Sequence, residues 1–147
     1  AAIHQKGVVH RDLKPANILV DAQGKVFIVD FGICRNLNQR TIVDGGNLLG
    51  TILWMSPEQA RNSSTVDHRS DLYTLGGIFY YLLTGKPPAE GHDNASVILY
   101  ICQVTPPSPR RLVPLIPPHV DQACMKLLAK RSEDRFQNAP TDCQGLI

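Results

Sequence analysis

Four side chains near the start of the chain have the types and spacing that phosphoryl transfer requires. These residues are Asp12, Lys14, Asn17 and Asp30. A carboxylate can accept the proton of an attacking hydroxyl, and an ammonium group can meet the negative charge on a moving phosphate. An amide oxygen and a second carboxylate are suitable magnesium ligands. The set therefore predicts a site where a phosphoryl group is transferred from a magnesium nucleotide.

Two short β-prone runs separate the last two of these side chains. They are residues 18–20 and 26–29, and the polar, glycine-containing segment 21–25 joins them. This pattern predicts the two strands of a β-hairpin. Because a hairpin brings its two ends together, we expect Asn17 and Asp30 to become neighbours in space.

Two multi-residue motifs carry a family resemblance. Residues 10–17 read His-Arg-Asp-Leu-Lys-Pro-Ala-Asn, and residues 30–32 read Asp-Phe-Gly. In this order and spacing, they resemble the catalytic loop and the magnesium loop of eukaryotic-type protein kinases. The Lys-Pro-Ala-Asn run is similar to serine/threonine kinases, and Ser-Pro-Glu-Gln-Ala at residues 56–60 is similar to bacterial members. The resemblance implies ATP-dependent phosphorylation of serine and threonine hydroxyls in protein substrates, with ATP and Mg²⁺ as cofactors.

The resemblance also implies a role for each residue of the candidate site. Asp12 is the expected catalytic base, and Lys14 is expected to contact the transferred phosphate. Asn17 and Asp30 are the expected magnesium ligands and, together with Lys14, bind the nucleotide. Thr51 stands at the end of the following loop, where its hydroxyl can hydrogen-bond Asp12 and Lys14.

The loop at residues 33–50 carries the expected regulatory site. It has little hydrophobic periodicity and lies where kinases carry the activation loop. A phosphate on Thr41 is expected to pair with Arg11, the arginine that precedes the catalytic aspartate. The alternative for Arg11 is a surface arginine that pairs locally. Cys34, which follows the magnesium motif, is expected to be a packed residue in preference to a reactive thiol.

Four further residues are expected to support the site structurally. The resemblance implies that Asp71 bonds the backbone of the catalytic loop and so fixes His10 and the residue after it. The alternative for Asp71 is an ordinary acid in the first turn of a helix. The resemblance also pairs Glu58 with the distant Arg135. Residues 54–58 are similar to the segment that receives the substrate residue following the phosphoacceptor.

The remaining patterns predict a mainly helical α+β fold, resembling the kinase large lobe with a short hairpin. Residues 70–84 form the strongest predicted helix, with Ser70 as its N-cap and apolar residues on almost every side, which predicts burial all round. The other predicted elements are a helix at 1–6 closed by Gly7, a strand at 8–9, helices at 95–104 and 120–130, and an irregular linker at 105–118.

Composition excludes several classes of function. The chain has 147 residues, of which 43% are apolar and 19% charged, as is typical of one globular domain. A net charge of +2 is too small to predict nucleic acid as a partner. Four dispersed cysteines indicate a reducing compartment, and the longest apolar run is too short to span a membrane. We therefore expect a cytoplasmic protein, or the cytoplasmic domain of a membrane-anchored kinase.

Neither the glycine-rich phosphate loop nor the lysine strand of a kinase small lobe is found in the sequence. We therefore expect residues 1–147 to be the C-terminal lobe of a kinase domain, and to be inactive without the small lobe as a partner. Two hypotheses remain: a serine/threonine kinase whose catalytic residues lie here, and a non-catalytic interaction module built on the same lobe. The intact set of four chemical residues favours the enzyme.

Overall fold

The computed structural model describes residues 4–30, 48–61 and 66–138, which are mostly helical. The α-helices are α1 (Leu48–Ile52), α2 (Pro57–Arg61), α3 (His68–Thr84), α4 (Asn94–Gln103), α5 (Pro109–Leu112) and α6 (Pro118–Leu127). Strands β1 (Ile18–Val20) and β2 (Val26–Ile28) form an antiparallel sheet, and 3₁₀ turns occupy His4–Lys6, Pro15–Asn17 and Ser132–Asp134. The predicted α+β class, mainly helical with a short hairpin, is confirmed.

The hairpin forms where the sequence predicts it. Its register pairs Ile18 with Ile28. The carboxylate of Asp21 closes the turn, since it accepts hydrogen bonds from two backbone N–H groups at 2.8 and 3.0 Å. The second strand ends at Ile28, one residue earlier than predicted. The N–H of Val29 donates instead to the carbonyl of Asn17 at 3.0 Å, just before the first strand.

Helix α3 begins earlier than predicted. Its N-cap is Asp67, whose carboxylate accepts a hydrogen bond from the N–H of Arg69 at 2.8 Å. The prediction of Ser70 as the N-cap is wrong, because the Ser70 hydroxyl donates to Glu58 at 2.5 Å. Gly85 ends the helix with a φ of 72°, a left-handed conformation that glycine adopts without a steric penalty.

The prediction that α3 is buried on every side is wrong for one strip. Leu75 and Leu82, seven positions apart and therefore on one face, are 39% and 75% exposed. Tyr73 and Tyr80 lie on another face and are buried against Cys124 of α6. No helix within residues 4–30, 48–61 or 66–138 combines the length and apolar character needed to cross a membrane.

Helix α4 is fixed to its surroundings at both its apolar face and its C-terminus. Val97 and Ile101 are buried in a cluster with α1. Arg61 donates to the carbonyl of Cys102, and Lys130 donates to that of Ile101, both at 2.7 Å. These cations satisfy carbonyls that have no partner within the helix and that carry its partial negative charge. Burial lowers the pKa of Lys130 to about 8.

The remaining predicted elements need smaller corrections. The described part of the first predicted helix is a 3₁₀ turn, and Gly7 follows it with a φ of 71°. Residues 8–9 do not form a strand. The predicted linker contains α5, and α6 begins at Pro118, two residues before its predicted start. Both helices have proline in their first positions, where a missing N–H costs no intrahelical hydrogen bond.

Two adjacent glycines of α3 give a matched test of its packing against α6. A Cβ added at Gly76 would lie 2.6 Å from the Cβ of Leu127, whereas one at Gly77 would meet nothing closer than 3.5 Å. We expect Gly76→Ala to lower the free energy of unfolding by about 1–3 kcal/mol, because the two helices must move apart. Gly77→Ala should be neutral or stabilising by up to about 1 kcal/mol, since alanine favours the helix. Urea unfolding measures both, and equal stabilities would contradict this packing.

Candidate active site

A buried carboxylate holds the turn that carries the candidate catalytic residues. Asp71, in the first turn of α3, is 3% exposed. Its Oδ2 accepts a hydrogen bond from the N–H of His10 at 2.8 Å, and its Oδ1 accepts one from the N–H of Arg11 at 3.0 Å. Arg11 has a φ of 66°, a left-handed conformation that is unfavourable for a residue with a side chain. The two charge-assisted bonds stabilise this conformation.

A third partner of Asp71 is a residue to which the sequence gives no role. Nε2 of His4 lies 2.8 Å from Oδ2 of Asp71, and the two residues are 67 positions apart. No local pattern marks such a pair, because neither residue belongs to a motif that would point to the other. The contact attaches the 3₁₀ turn before the catalytic loop to the same carboxylate that orients the loop.

The side chain of His10 ties the catalytic loop to the end of β2. It is fully buried, and its Nδ1 accepts a hydrogen bond from the N–H of Asp12 at 3.3 Å. Its Nε2 lies 3.2 Å from the carbonyl oxygen of Val29. Because Nδ1 accepts, Nε2 carries the proton that is donated to this carbonyl. His10 thereby fixes Asp12 relative to the residue after Val29, which is Asp30.

Three of the predicted site residues meet at one cleft, which Asp12 and Thr51 line and Lys14 adjoins. Nζ of Lys14 lies 3.5 Å from Oδ2 of Asp12 and donates to Oγ1 of Thr51 at 3.4 Å. Thr51 belongs to α1, so residues 37 positions apart come together. The cleft is also lined by Leu13, Trp54 and Met55. A hydroxyl that entered it would meet a carboxylate as proton acceptor and an ammonium group as a counter-charge.

The two predicted magnesium ligands lie at the open end of the hairpin. Asn17 is 4% exposed, and its Nδ2 donates to the carbonyl of Asp12 at 2.8 Å, which leaves Oδ1 as an acceptor. The bond from Val29 to the carbonyl of Asn17 brings Asp30, the next residue, to the same end. Asp30 is exposed and has a φ of 56°.

This donor set fits magnesium better than metals that need a protein cage. Among the described residues, no group of three or more His, Cys, Asp or Glu side chains could hold a metal ion. Mg²⁺ usually takes one or two carboxylates and completes its shell with water and substrate phosphate oxygens. An amide oxygen from Asn17 and a carboxylate from Asp30 are therefore sufficient protein ligands for it.

Residues 54–58, which run from the connection after α1 into the first turn of α2, are attached to α3 beside the cleft. The hydroxyl of Thr74 donates to the carbonyl of Trp54 at 2.8 Å. The ring of Trp54 packs edge-on against Tyr81, with the ring centroids 5.8 Å apart. Ser56 and Pro57 are fully buried. The segment predicted to receive substrate is thus held rigidly against the same helix that anchors the catalytic loop.

The buried Arg135 forms an ion pair with the partly buried Glu58 through two hydrogen bonds. The distances are 2.6 Å from Nη1 to Oε1 and 2.8 Å from Nη2 to Oε2. Burial by itself would raise the pKa of Glu58, but hydrogen bonds from Arg135 and Ser70 lower it below its usual value. Arg135 also donates to the backbone carbonyls of Arg69, Ala129 and Lys130. The pair joins α2 to the segment that follows α6, so the predicted partners do meet.

Some of the predicted site residues lie outside the described residues. They are Phe31 and Gly32 of the magnesium motif, Cys34, and Thr41 of the expected activation loop. Arg11, the expected partner of a phosphate on Thr41, is described, and its side chain is exposed at the edge of the cleft.

Comparison with known proteins gives consistent matches along the chain. The protein kinase domain family matches residues 1–143. A probable serine/threonine-protein kinase PknB of Bifidobacterium longum is 43% identical over 140 residues, which cover 92% of this chain and 20% of that protein. PknB of Mycolicibacterium smegmatis is 40% identical, with 92% and 22% covered, and PrkC of Bacillus subtilis is 39% identical, with 95% and 21% covered. The chain spans about a fifth of the length of these curated relatives.

The buried ion pair gives a stability prediction with a pH signature. We expect Arg135→Met to lower the free energy of unfolding by about 3–5 kcal/mol, because the partly buried Glu58 and three backbone carbonyls lose the guanidinium that donates to them. The lowered pKa of Glu58 means that its contribution is present above about pH 4.5 and is lost as the pH falls below that value. Glu58→Gln should therefore weaken the dependence of stability on pH in this acidic range.

Chemical denaturation between pH 3 and pH 7 measures both effects, and the exposed Arg131 provides the matched control. Arg131 also pairs with a carboxylate, at 2.6 Å from Glu133, but both side chains are largely exposed. Arg131→Met should leave stability unchanged. Equal losses for the Arg131 and Arg135 variants would contradict the structural role assigned to the buried pair.

Proposed function

The chain belongs to the protein kinase domain family, and we propose that the full-length protein containing it transfers the γ-phosphoryl group of ATP to serine and threonine hydroxyls of proteins. The printed names of its relatives, serine/threonine-protein kinases about 40% identical to it, support this activity. The observation that carries the proposal is that Lys14 contacts Asp12 at 3.5 Å and Thr51 at 3.4 Å, the two residues of the set that line the cleft.

We assign residues 1–147 to the larger lobe of the catalytic domain. The mainly helical fold and the position of the hairpin beside the cleft support this assignment. Five residues of the hairpin, from both of its strands, expose apolar side chains: Leu19, Val20, Val26, Phe27 and Ile28. A small lobe that supplies the phosphate-covering loop and the nucleotide lysine would cover such a surface as it closes over the cleft. Because ATP is a cytoplasmic substrate, the domain works on the cytoplasmic side.

The chemical work of the cleft falls to three side chains. Asp12 accepts the proton of the substrate hydroxyl and turns its oxygen towards the phosphate. Lys14 carries the positive charge that meets the transferred phosphoryl group. Thr51 accepts a hydrogen bond from Lys14 and so fixes the ammonium group beside Asp12. Catalysis of this kind depends mainly on positioning and electrostatics, and the backbone bonds of His10 and Arg11 to Asp71 supply the positioning.

The nucleotide is held at the open end of the hairpin. Protein kinases generally use ATP with Mg²⁺, and the donor set of Asn17 and Asp30 fits that ion. When bound, Mg²⁺ neutralises negative charge on the phosphates. The bond from Nδ2 of Asn17 to the carbonyl of Asp12 turns the amide oxygen away from the catalytic loop, and the exposure of Asp30 leaves its carboxylate accessible to a nucleotide.

The substrate residue after the phosphoacceptor binds along residues 54–58. The cleft beside Asp12 is lined by the apolar side chains of Leu13, Trp54 and Met55. An apolar residue at that substrate position would bury its surface against these three side chains. The proposed substrates therefore carry an apolar residue directly after the serine or threonine.

Replacement of the two aspartates by asparagine separates their proposed roles. We expect Asp12→Asn to lower kcat by about 10²–10⁴-fold while ATP binding is retained, because proton acceptance matters mainly in the transition state. Asp30→Asn should also weaken binding of the magnesium nucleotide, since it removes a charged ligand. Phosphate transfer to a peptide by the full-length protein, together with nucleotide titration, measures both.

Asp134→Asn is the matched control, because that carboxylate is 61% exposed and lies outside the cleft. It should leave both kcat and nucleotide affinity unchanged. Unaltered turnover in Asp12→Asn would remove Asp12 from its proposed role, and a wild-type protein that binds no nucleotide would favour the non-catalytic interaction module.

Phosphorylation of Thr41 is the proposed regulatory switch, with Arg11 as the partner of the phosphate. A phosphate adds nearly two negative charges, and the exposed guanidinium of Arg11 is available at the edge of the cleft. Mass spectrometry after incubation with ATP should find phosphate within residues 33–50. Arg11→Gln should remove the activation that follows phosphorylation, and full activity in Thr41→Val would contradict the switch.

A further inference from the structure

Gln59 connects two parts of the candidate site through one side chain. It is the third residue of α2, and it forms a reciprocal pair of hydrogen bonds with Ser56 at the start of that helix. The N–H of Ser56 donates to Oε1 of Gln59 at 3.0 Å, and the N–H of Gln59 donates to Oγ of Ser56 at 3.3 Å. This is a capping box, which fixes both the first turn of the helix and the side chain of its third residue.

The capping box does not use the side-chain NH2 group of Gln59, and this group reaches the catalytic loop. Nε2 of Gln59 donates to the carbonyl oxygen of Arg11 at 2.8 Å. A capping box is satisfied equally by glutamate or glutamine, because only an acceptor is needed at this position. A glutamate carboxylate has no N–H to give to Arg11. The bond to the catalytic loop therefore depends on glutamine.

The peptide group that Gln59 holds is the one that immediately precedes the proposed catalytic base. Its carbonyl accepts from Gln59, and its N–H, which belongs to Asp12, donates to Nδ1 of His10 at 3.3 Å. On the other side of Arg11, the N–H donates to Asp71. A residue with a φ of 66° is thus held at both of its peptide groups. Since the plane of this peptide sets the direction of the Asp12 side chain, its orientation depends partly on Gln59.

We propose that Gln59 is a positioning residue that couples the substrate-binding segment to the catalytic aspartate. Gln59 contacts residues 54–58 through Ser56 and contacts the peptide before Asp12 through the carbonyl of Arg11. Displacement of that segment would remove one of the hydrogen bonds that hold this peptide, so the orientation of the base depends partly on the position of the substrate segment. The effect on turnover rests on the proposed kinase activity, whereas the hydrogen-bonded link between Gln59 and Arg11 is independent of it.

Gln59→Glu is the most informative variant, because it changes the donor and leaves the cap. The carboxylate still accepts from Ser56, but it places a second acceptor against the carbonyl of Arg11. We expect kcat at pH 8 to fall by about tenfold, the rate equivalent of about 1.4 kcal/mol for one lost hydrogen bond. KM for ATP should stay unchanged, since the nucleotide ligands are not touched.

A pH profile distinguishes positioning from a general loss of stability. Each kcat is divided by that of wild type at the same pH, so that effects of pH common to both proteins cancel. The charged groups that face this position are Arg11 and Asp12. As the pH falls towards about 4.5, close to the ordinary pKa of a glutamate, the carboxyl group that Gln59→Glu introduces gains a proton and again has a donor for the carbonyl of Arg11. The kcat ratio of this variant should therefore rise. Gln59→Met, which cannot donate at any pH, should show a loss without recovery.

Gln122→Glu makes the same chemical change on the exposed side of α6 and is the matched control, with no effect expected at any pH.

Hydrogen exchange of residues 10–14 in full-length protein without nucleotide provides a readout that needs no activity. Both Gln59 variants should exchange the Asp12 amide faster than wild type. Should Gln59→Glu fail to fold, Gln59→Met carries the exchange and kcat measurements.

The outcomes separate this inference from the proposed function. Faster exchange in the variants of an inactive wild-type protein would support the link and overturn the kinase activity. Wild-type exchange and turnover in both Gln59 variants would overturn the link. A loss of turnover in Gln59→Glu that is the same at every pH, without faster exchange, would also overturn it.

Discussion

The geometry of the candidate site depends on one buried carboxylate and the backbone it holds. Asp71 accepts hydrogen bonds from the N–H groups of His10 and Arg11 and contacts Nε2 of His4. The bonds to His10 and Arg11 help to offset the cost of a left-handed conformation at Arg11. Because Asp12 follows Arg11 directly, the direction of the proposed base is set by a residue that never enters the cleft.

Helix α3 acts as the platform to which the other parts of the site are attached. It contributes Asp71 to the catalytic loop, Thr74 to the carbonyl of Trp54, and Ser70 to the ion pair of Glu58 with Arg135. These tethers are polar and buried, so each is specific in direction as well as stabilising. The burial of one face of α3 against α6 keeps the platform itself in place.

The hairpin, the end of α3 at Gly85 and the approximate position of α4 were predictable, because each depends on local patterns of turn residues, caps and apolar spacing. The start of α3 was not. Asp67 and Ser70 are both good N-caps by residue type. Glu58, in α2 and twelve positions earlier in the chain than Ser70, decides between them. Its carboxylate accepts a hydrogen bond from the hydroxyl of Ser70, and Asp67 caps the helix instead. Likewise, apolar residues such as Leu82 do not reveal which face of a helix has a neighbour.

The sequence by itself determined the chemical set of the site, since Asp12, Lys14, Asn17 and Asp30 lie on one short hairpin-bearing stretch. Only the resemblance to kinases suggested that Glu58 would meet Arg135, which lies 77 positions away, because no local pattern connects the two residues. The contacts of His4 with Asp71 and of Gln59 with Arg11 were decided only by the tertiary structure. The physical reason is that a hydrogen bond between distant residues depends on the direction of both groups, and packing of the intervening helices sets those directions.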